Sequence, residues 1–175
     1  MTRVAVTGAG GFVGQRVCRA LRAQGHEVIA VVRRGASAPA GTSVAEVPGL
    51  DAAAMRVAFE ASDAVVHLAA RVHVMREAAP DPLAEFRRVN VEGAVAAYRA
   101  ACAVGVRRFV FLSSVKVHGE GRATPYAESN VPAPVDPYGV SKLEAERALA
   151  AAHDAGGTAD LGVLRPPLVY GPGVG

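Results

Sequence analysis

Residues 3–14 read R-V-A-V-T-G-A-G-G-F-V-G, a short apolar run followed by a cluster of glycines. The run at 4–6 is typical of a strand covered on both faces of a parallel sheet. Gly8 permits a tight turn, Gly11 lets the backbone approach a ligand, and Gly14 lets a helix pack closely on the strand. The stretch therefore predicts a strand, a glycine turn and a helix whose N-terminus binds an anion such as a pyrophosphate.

The residues after the glycines complete a βαβ unit. An apolar stripe at helical spacing continues to Gln24, Gly25 stops the helix, and residues 28–32 form a second apolar run. This setting distinguishes a nucleotide site from a chance cluster of glycines. A purely steric role for the glycines is the alternative.

The composition favours one α/β domain. The chain has 175 residues, 51% of them hydrophobic, which is enough for a sizeable core. Its net charge of +3 comes from scattered arginines, so nucleic-acid binding is not indicated. The first strand begins near the N-terminus and no apolar run approaches the ~18 residues of a membrane span, so we expect a soluble cytoplasmic protein. Cys18 and Cys102 are expected to be small core residues, and no metal site is predicted.

The rest of the chain alternates between strand and helix signals. Strands are predicted at 43–47, 64–68, 108–114 and 161–165, with helices from Asp51 to about Glu60, from Pro82 to near Gly105 and from Tyr138 onward. Alternating units with right-handed crossovers predict a doubly wound parallel sheet, a Rossmann fold, with strand order 3-2-1-4-5-6 and helices on both faces. Gly93, inside the second of these helices, predicts close packing against the sheet.

The ends of the second and fourth strands carry residues that fit a dinucleotide. Arg33 and Arg34 follow the second strand, where an acidic residue would bind a ribose 2′-hydroxyl; two arginines instead suit a 2′-phosphate and favour NADP over NAD. Ala69 and Ala70 are small enough to lie beside a bound cofactor at the carboxyl end of the fourth strand. The alternatives are an exposed basic loop and two ordinary alanines.

Tyr138 and Lys142 are four residues apart and therefore share one helix face. An ammonium beside a phenol favours the phenolate, and we expect the Lys142 charge, with that of an oxidised nicotinamide, to lower the pKa of Tyr138 from about 10 towards about 7, which requires roughly 4 kcal/mol. Ser113 and Ser114 end the fifth strand, where a hydroxyl could orient the oxygen that Tyr138 protonates or deprotonates. The Pro/Gly-rich loop at 117–137 is placed where substrates bind. A surface helix is the alternative for the Tyr-Lys pair.

Five motifs taken together carry a family resemblance. In chain order they are T-G-A-G-G-F-V-G, D-A-V-V-H-L-A-A, N-V-E-G, S-S-V-K-V-H-G and Y-G-V-S-K. They resemble the extended short-chain dehydrogenase/reductase family, in its nucleotide-sugar epimerase/dehydratase group, over the whole chain. The runs H-L-A-A-R-V-H-V-M-R and L-R-P-P-L-V-Y-G-P-G are most similar to bacterial UDP-glucose 4-epimerase-like enzymes and to reductases that form UDP-N-acetylquinovosamine from a 4-keto precursor.

The resemblance implies roles for individual residues. The proton donor falls on Tyr138, the family's lysine on Lys142 and its serine on Ser114, the second of the pair. It implies an NADP or NAD cofactor, a UDP-sugar substrate reduced or epimerised at C4, and a homodimer through the helices at 82–104 and 138–155. Together with Gly14 and Arg34 from the motifs above, it places cofactor contacts on Gly8, Gly11, Phe12, Val13, Arg33, Leu68, Ala69, Ala70, Pro167, Leu168 and Val169.

Three departures from the family pattern qualify these expectations. Gly49 stands where an acidic residue usually contacts adenine, and His118 replaces the tyrosine of the family's V-Y-G. The chain ends at Gly175, where family members continue into a substrate lobe. We therefore expect residues 1–175 to form the dinucleotide-binding domain alone, and a non-catalytic binding module is the alternative function.

Overall fold

The computed structural model describes residues 1–72, 81–121 and 124–173. Its strands are β1 (Arg3–Thr7), β2 (Glu27–Arg33), β3 (Ser43–Val47), β4 (Ala64–His67), β5 (Arg108–Leu112) and β6 (Asp160–Leu164). Its α-helices are α1 (Phe12–Ala23), α2 (Ala52–Phe59), α3 (Pro82–Arg87), α4 (Gly93–Ala103) and α5 (Pro137–Asp154). A π turn at Arg88–Glu92 joins α3 to α4, and a 3₁₀ turn covers Val115–His118.

The six strands form one parallel sheet in the order β3-β2-β1-β4-β5-β6. Strand β1 is central: Val6 pairs with Ala30 on one side and with Val66 on the other. Its residues from Val4 to Thr7 are all buried, as expected for a strand covered on both faces. The predicted Rossmann fold and its strand order are confirmed.

Helices cover both faces of the sheet, although unequally. One core lies between the sheet and α2, α4 and α5, and its largest fully buried side chains include Tyr98, Phe59, Phe109 and Phe111. The smaller core on the other face lies under α1 and contains Cys18. Both cysteines are free thiols. Cys18 is buried, as predicted for a core residue, whereas Cys102 is only half-buried.

Three helices begin at an aspartate that caps them. The Asp51 carboxylate accepts hydrogen bonds from the N–H groups of Ala53 and Ala54, at 3.1 and 3.0 Å. Asp81 and Asp136 do the same for α3 and α5, and in both helices a proline follows the cap, where its missing N–H costs nothing. Asp136 also pairs with Lys116, in the 3₁₀ turn after β5, at 2.7 Å, which ties the start of α5 and Tyr138 to the end of β5.

The helix predicted from Pro82 to near Gly105 is interrupted. A π turn separates α3 from α4, and within it the Asn90 side chain accepts a hydrogen bond from Arg71 N–H. Gly93 follows this turn, and a Cβ there would lie 2.7 Å from Cδ1 of Leu50. The predicted close packing is therefore present, but the partner is the loop before α2 and not the sheet.

Gly14 allows α1 to meet the glycine turn. A Cβ at this position would overlap the carbonyl oxygen of Gly8 and lie 2.8 Å from Cα of Ala9. Because these are backbone atoms of β1's own turn, they cannot move without moving the strand end. The packing role predicted for the third glycine is confirmed.

Gly14→Ala should lower the free energy of unfolding by about 2–3 kcal/mol, because the added methyl group must push α1 away from the turn. Gly49→Ala is the matched control, since a Cβ at Gly49 meets no heavy atom within 4 Å. Urea unfolding of the two variants measures both effects. Equal stability of the two variants would contradict the packing role of Gly14.

Candidate functional site

The carboxyl ends of the strands meet at one edge of the sheet, and nearly every predicted site residue lies there. Because all neighbouring strands are parallel, the glycine turn after β1, Arg33, residues 68–70 and the serines after β5 share this edge. The segment after β6 is tied to it: Ser113 N–H donates to Leu164 O at 2.7 Å and Val115 N–H to Pro166 O at 3.0 Å. The edge is therefore a continuous rim.

The glycine turn leaves the first helix open to an anion. Gly8 adopts a φ of +67°, and a Cβ there would lie 2.8 Å from the backbone nitrogen of Ala69, so only glycine allows this approach of the turn to the end of β4. Gly11 occupies the N-cap of α1 with no side-chain cap, and the first turn holds no acidic residue. The free N–H groups of this helix start fit a pyrophosphate.

Thr7 joins the ends of β1 and β4, and the sequence analysis did not single it out. Its Oγ1 accepts hydrogen bonds from the N–H groups of Leu68 and Ala69, both at 3.2 Å. The hydroxyl also shares a hydrogen bond of 3.0 Å with Nδ1 of His67. A buried threonine at the last position of a central strand is the signal that could have identified it.

Phe12, Val13 and Val169 come together across the rim. They line a cavity of about 190 Å³ between α1 and the segment after β6, with Arg16, Val17, Tyr170, Gly171 and Pro172. Arg16 Nη2 donates to the carbonyl of Pro172 at 2.5 Å and closes the side of this cavity. Pro167 and Leu168 are exposed and do not line it, and Leu168 is 83% exposed.

Arg33 and Arg34 are both exposed at the end of β2. The loop that follows returns to the glycine turn, since a Cβ on Gly10 would lie 2.5 Å from the carbonyl oxygen of Ser37. The two arginines therefore stand on a loop that borders the predicted pyrophosphate position. This location fits the prediction for the ribose end of a dinucleotide.

The two serines after β5 have different partners. The Ser113 hydroxyl, 2% exposed, donates to the carboxylate of Glu146 and is not available to a ligand. Ser114 accepts a hydrogen bond from Lys116 N–H at 3.2 Å, and its hydroxyl lies near enough to the phenol of Tyr138 to lower the pKa of that phenol. The structure thus brings together Ser114 and Tyr138, the pair expected from the sequence.

The predicted depression of the Tyr138 pKa is wrong for the protein by itself. Burial raises the pKa of this phenol above its ordinary value, and the nearby Ser114 hydroxyl only partly opposes that effect. The Lys142 ammonium lies 6.0 Å from the centre of the Tyr138 ring and is directed elsewhere. Spacing along a helix predicted a shared face correctly, but not the direction of the ammonium.

Lys142 is buried at the centre of the site and is 2% exposed. Its Nζ donates to the carbonyl of Leu112 at 2.6 Å and lies 4.4 Å from the centre of the Phe111 ring. Desolvation lowers the pKa of this ammonium from 10.5 to about 8, while the charge of Glu146 raises it. Lys142 is therefore cationic at neutral pH with a small margin.

Asn90, in the π turn, is a second residue that the sequence analysis missed. Its side chain accepts a hydrogen bond from Arg71 N–H at 2.8 Å and donates to Arg71 O at 3.1 Å and to Ser141 Oγ at 2.9 Å. Ser141 in turn donates to the carbonyl of Tyr138. Asn90 thus ties the segment after β4 to the first turn of α5, and a π turn is a recognised mark of functional positions.

His67, at the end of β4, is fully buried and neutral. Its ring stacks on Phe109 and Phe111, with centroid distances of 5.7 and 6.1 Å. Desolvation, with a smaller contribution from the Lys142 charge, lowers the pKa of His67 to about 3. Nδ1 shares a hydrogen bond with the Thr7 hydroxyl, whereas Nε2 has no hydrogen-bond partner in the part of the chain that the structure describes.

The described part of the chain contains neither a candidate metal cluster nor a helix that could span a membrane. Within residues 1–72, 81–121 and 124–173, no group of three or more His, Cys, Asp or Glu side chains could hold a metal ion. Among the helices of that same part of the chain, none is both long enough and apolar enough to cross a bilayer.

The sheet topology and the glycine turn define a Rossmann domain of the short-chain dehydrogenase/reductase type. The family model described as "NAD dependent epimerase/dehydratase family" matches residues 4–175, and the chain belongs to this family. It is 37% identical over 175 residues to a UDP-glucose 4-epimerase of Vibrio cholerae, covering 98% of this chain and 53% of that protein. It is 33% identical to the 3-diazoavenalumate denitrifying reductase of a Streptomyces species, covering 99% of this chain and 58% of that protein.

Solved structures agree with the family assignment. The structure of MoeE5 in complex with UDP-glucuronic acid and NAD superposes with a TM-score of 0.83 at 36% identity, covering 98% of this chain and 56% of that one. UDP-glucose 4-epimerase from Brucella ovis, in complex with NAD, gives a TM-score of 0.83 at 29% identity, covering 94% of this chain and 51% of that one. The chain thus spans about half the length of the relatives it matches.

The neutral His67 predicts how stability changes in acid. The folded state keeps the ring neutral down to about pH 3, whereas the unfolded chain protonates it near pH 6.5, so stability is complete above pH 6.5 and is lost as the pH falls towards 3. At pH 5 this loss amounts to about 2 kcal/mol. His67→Asn keeps an acceptor for Thr7 but does not titrate, so its stability should fall by about 2 kcal/mol less between pH 7.5 and pH 5.

Urea unfolding at the two pH values measures this difference. An equal loss in both proteins would contradict the assignment of acid sensitivity to His67. Should His67→Asn fail to fold, an NMR titration of the native protein gives the same information, because the His67 ring signals should not titrate between pH 8 and pH 4.5. A midpoint near pH 6.5 would contradict a buried neutral ring.

Proposed function

We propose that the protein is an NAD(P)-dependent oxidoreductase that acts at C4 of a UDP-sugar and reduces a 4-keto group. The observation that carries this proposal is the proximity of Ser114, Tyr138 and the buried Lys142 at the same rim as the open helix start, with the Ser114 hydroxyl near enough to lower the pKa of the Tyr138 phenol. The reductase and UDP-sugar epimerases among the relatives, and the NAD and UDP-sugar in the MoeE5 structure, support the chemistry.

Each residue has a separate role in this proposal. A bound nicotinamide would supply the hydride. Tyr138 donates its proton to the developing oxygen at C4, Ser114 holds that oxygen through its hydroxyl, and Lys142 holds the ribose next to the nicotinamide. The pyrophosphate is held by the start of α1 and by the turn at 8–14.

The electrostatics of the free site favour reduction as the first step. Reduction of a ketone needs a protonated Tyr138, and burial raises the pKa of this phenol, so the proton is in place at neutral pH. Removal of a proton from a sugar hydroxyl needs the phenolate. Epimerisation at C4 uses the same residues, but the proton and the hydride are first removed from the sugar and then returned to it. It is the alternative that the named epimerases among the relatives support.

The reaction is tested with the full-length protein that contains this chain. The 4-keto reductase consumes one NADPH or NADH for each 4-hydroxy product, and NMR of the products identifies the sugar. If the protein instead interconverts two UDP-sugars without net consumption of cofactor, its activity is that of an epimerase and not of a reductase. Binding of the cofactor without turnover of any 4-keto or 4-hydroxy UDP-sugar would replace both by the non-catalytic binding module.

Tyr138→Phe should lower kcat by at least about 10²-fold, because the proton donor is lost while the ring and its packing remain. Cofactor affinity should stay within about twofold of the unmutated protein. The control is Tyr98→Phe: Tyr98 bonds His153 and the carbonyl of Ala159, so its loss lowers stability and not the turnover of folded enzyme. Unchanged turnover in Tyr138→Phe would contradict the role of this phenol.

We propose a preference for NADP because Arg33 and Arg34 stand at the end of β2. A charge-assisted contact from Arg33 to a 2′-phosphate should contribute about 1.5–3 kcal/mol, or about ten- to a hundredfold in affinity. The solved relatives were determined with NAD, so NAD is the alternative cofactor. Arg34, next in the chain and also exposed, would add to the same contact.

Arg33→Ala should weaken NADPH binding about tenfold and leave NADH binding nearly unchanged. Arg99→Ala is the matched control, because Arg99 is also exposed but lies on α4, away from the rim. Calorimetry measures the affinities of the unmutated protein and of both variants for NADPH and for NADH, at fixed ionic strength because salt screens the phosphate contact. Equal affinities for NADPH and NADH in the unmutated protein would contradict the preference.

The proposal extends to the organisation of the whole protein. Residues 1–175 would serve as the dinucleotide-binding domain, in the cytoplasm. The exposed apolar side chains of Leu164, Leu168 and Tyr170 beside the rim are consistent with further contacts there. A homodimer would form through the helices at 82–104 and 138–155, where Arg87 and Glu144 already join α3 to α5 by two hydrogen bonds of 2.8 and 2.6 Å.

A further inference from the structure

The ammonium of Lys142 is a buried charge that needs compensation. It is 2% exposed, and a lone ammonium in such a place tends to lose its proton. The Leu112 carbonyl and the Phe111 ring provide two favourable contacts, but both groups are uncharged. Among the described residues, Lys142 makes no ion pair with a carboxylate.

Glu146 is a buried carboxylate near Lys142, because the two side chains contact consecutive residues at the end of β5, Ser113 and Leu112. It follows Lys142 by four residues on α5, so both side chains lie on the same face of the helix, and it is 8% exposed. Arg165 holds it by two hydrogen bonds, Nη2 to Oε2 at 2.6 Å and Nε to Oε1 at 3.0 Å. The Ser113 hydroxyl donates to Oε1 as well.

We propose that Glu146 is a positioning residue that keeps Lys142 an ammonium, and so holds it against the Leu112 carbonyl in the place where the reaction needs it. The proposal rests on the proposed function for the use of Lys142, but not for its charge. The contacts of Glu146 fit this role: Arg165 and Ser113 hold its carboxylate in place by hydrogen bonds, and among the described residues it makes no direct ion pair with the Lys142 ammonium.

The other charged and titratable groups around Lys142 do not replace Glu146. His67, on β4, is neutral, and Tyr138, on α5, is a neutral phenol with a raised pKa. Asp136, before α5, is paired with Lys116 at 2.7 Å. Arg165, after β6, carries the same charge as Lys142 and is engaged by Glu146. Glu146 alone among these raises the pKa of Lys142 through its charge.

The sequence makes a direct test possible, because Lys116 and Lys142 are the two lysines of this chain. Protein labelled with ¹³C,¹⁵N-lysine gives two side-chain signals, and a Lys142→Arg sample assigns them. A pH titration then reads the charge of Lys142 without substrate, cofactor or turnover. Lys116 is the internal reference, since its pKa is raised by its hydrogen bonds to Asp136 and Glu120.

Glu146→Gln should lower the pKa of Lys142 by at least about half a pH unit below its value in the unmutated protein, because the amide keeps the size of the side chain and removes its charge. A merely structural role predicts the opposite sign: a loosened core would admit water and raise the pKa towards 10.5. An unchanged or raised pKa would therefore overturn the proposal.

Two further variants sharpen the test. Glu144→Gln removes a half-exposed carboxylate two residues away, paired with Arg87, and should leave the Lys142 titration unchanged. Glu146→Asp keeps the charge, so the pKa of Lys142 in this variant should lie closer to its value in the unmutated protein than the pKa of Lys142 in Glu146→Gln does. Should Glu146→Gln fail to fold because Arg165 loses its partner, the double variant Glu146→Gln, Arg165→Met removes the pair together and should still lower the pKa of Lys142.

Kinetics on the full-length protein separate this inference from the proposed function. If Lys142 must be an ammonium for turnover, Glu146→Gln should move the loss of kcat at alkaline pH to lower pH, with kcat near the unmutated value at pH 6. A shifted NMR titration without turnover of any UDP-sugar would leave the role of Glu146 standing and refute the enzyme. Turnover of a UDP-sugar with an unshifted Lys142 titration would support the enzyme and refute the role of Glu146.

Discussion

Helix α1 reaches the central strand only because two glycines bring backbone against backbone. Gly14 packs on the carbonyl of Gly8, and Gly8 in turn approaches the backbone of Ala69 at the end of β4. No side chain fits in either place, so the start of α1 is held at the rim of the sheet with its N–H groups free. The position of the anion site, and the distance from it to the ends of the other strands, follow from these two contacts.

Burial sets the chemistry of the rest of the rim. His67 is neutral because its ring is buried between the sheet and the helices, Lys142 is an ammonium of reduced basicity, and Tyr138 holds its proton more firmly than a phenol in water. Desolvation by burial is the largest cause of all three shifts. The opposing groups are few: the Ser114 hydroxyl acts on Tyr138 and the Glu146 carboxylate acts on Lys142.

The fold could be predicted from the sequence because its signals are local. The apolar run of β1, the glycines after it and the Asp-Pro caps of α3 and α5 act within a few residues, and the order of strands follows from right-handed crossovers. The identity of Ser114, Tyr138 and Lys142 came from spacing and family motifs, and the structure brings Ser114 and Tyr138 together. The features that the sequence did not predict depend on contacts between distant segments. The Lys142 ammonium donates to the carbonyl of Leu112, Gly93 packs on Leu50, and Asn90 in the π turn binds Arg71. Thr7 and Glu146 were missed for the same reason, since their partners lie 60 and 33 residues away.

The central claim is that the rim binds a nicotinamide dinucleotide with its reactive ring beside Tyr138. A crystal structure of this chain grown with NADP or NAD tests it most directly. We predict the pyrophosphate on the N–H groups at the start of α1, and the nicotinamide between Tyr138 and the segment at 167–169. A dinucleotide bound elsewhere, or one whose nicotinamide lies out of reach of Tyr138 and Lys142, would contradict the account.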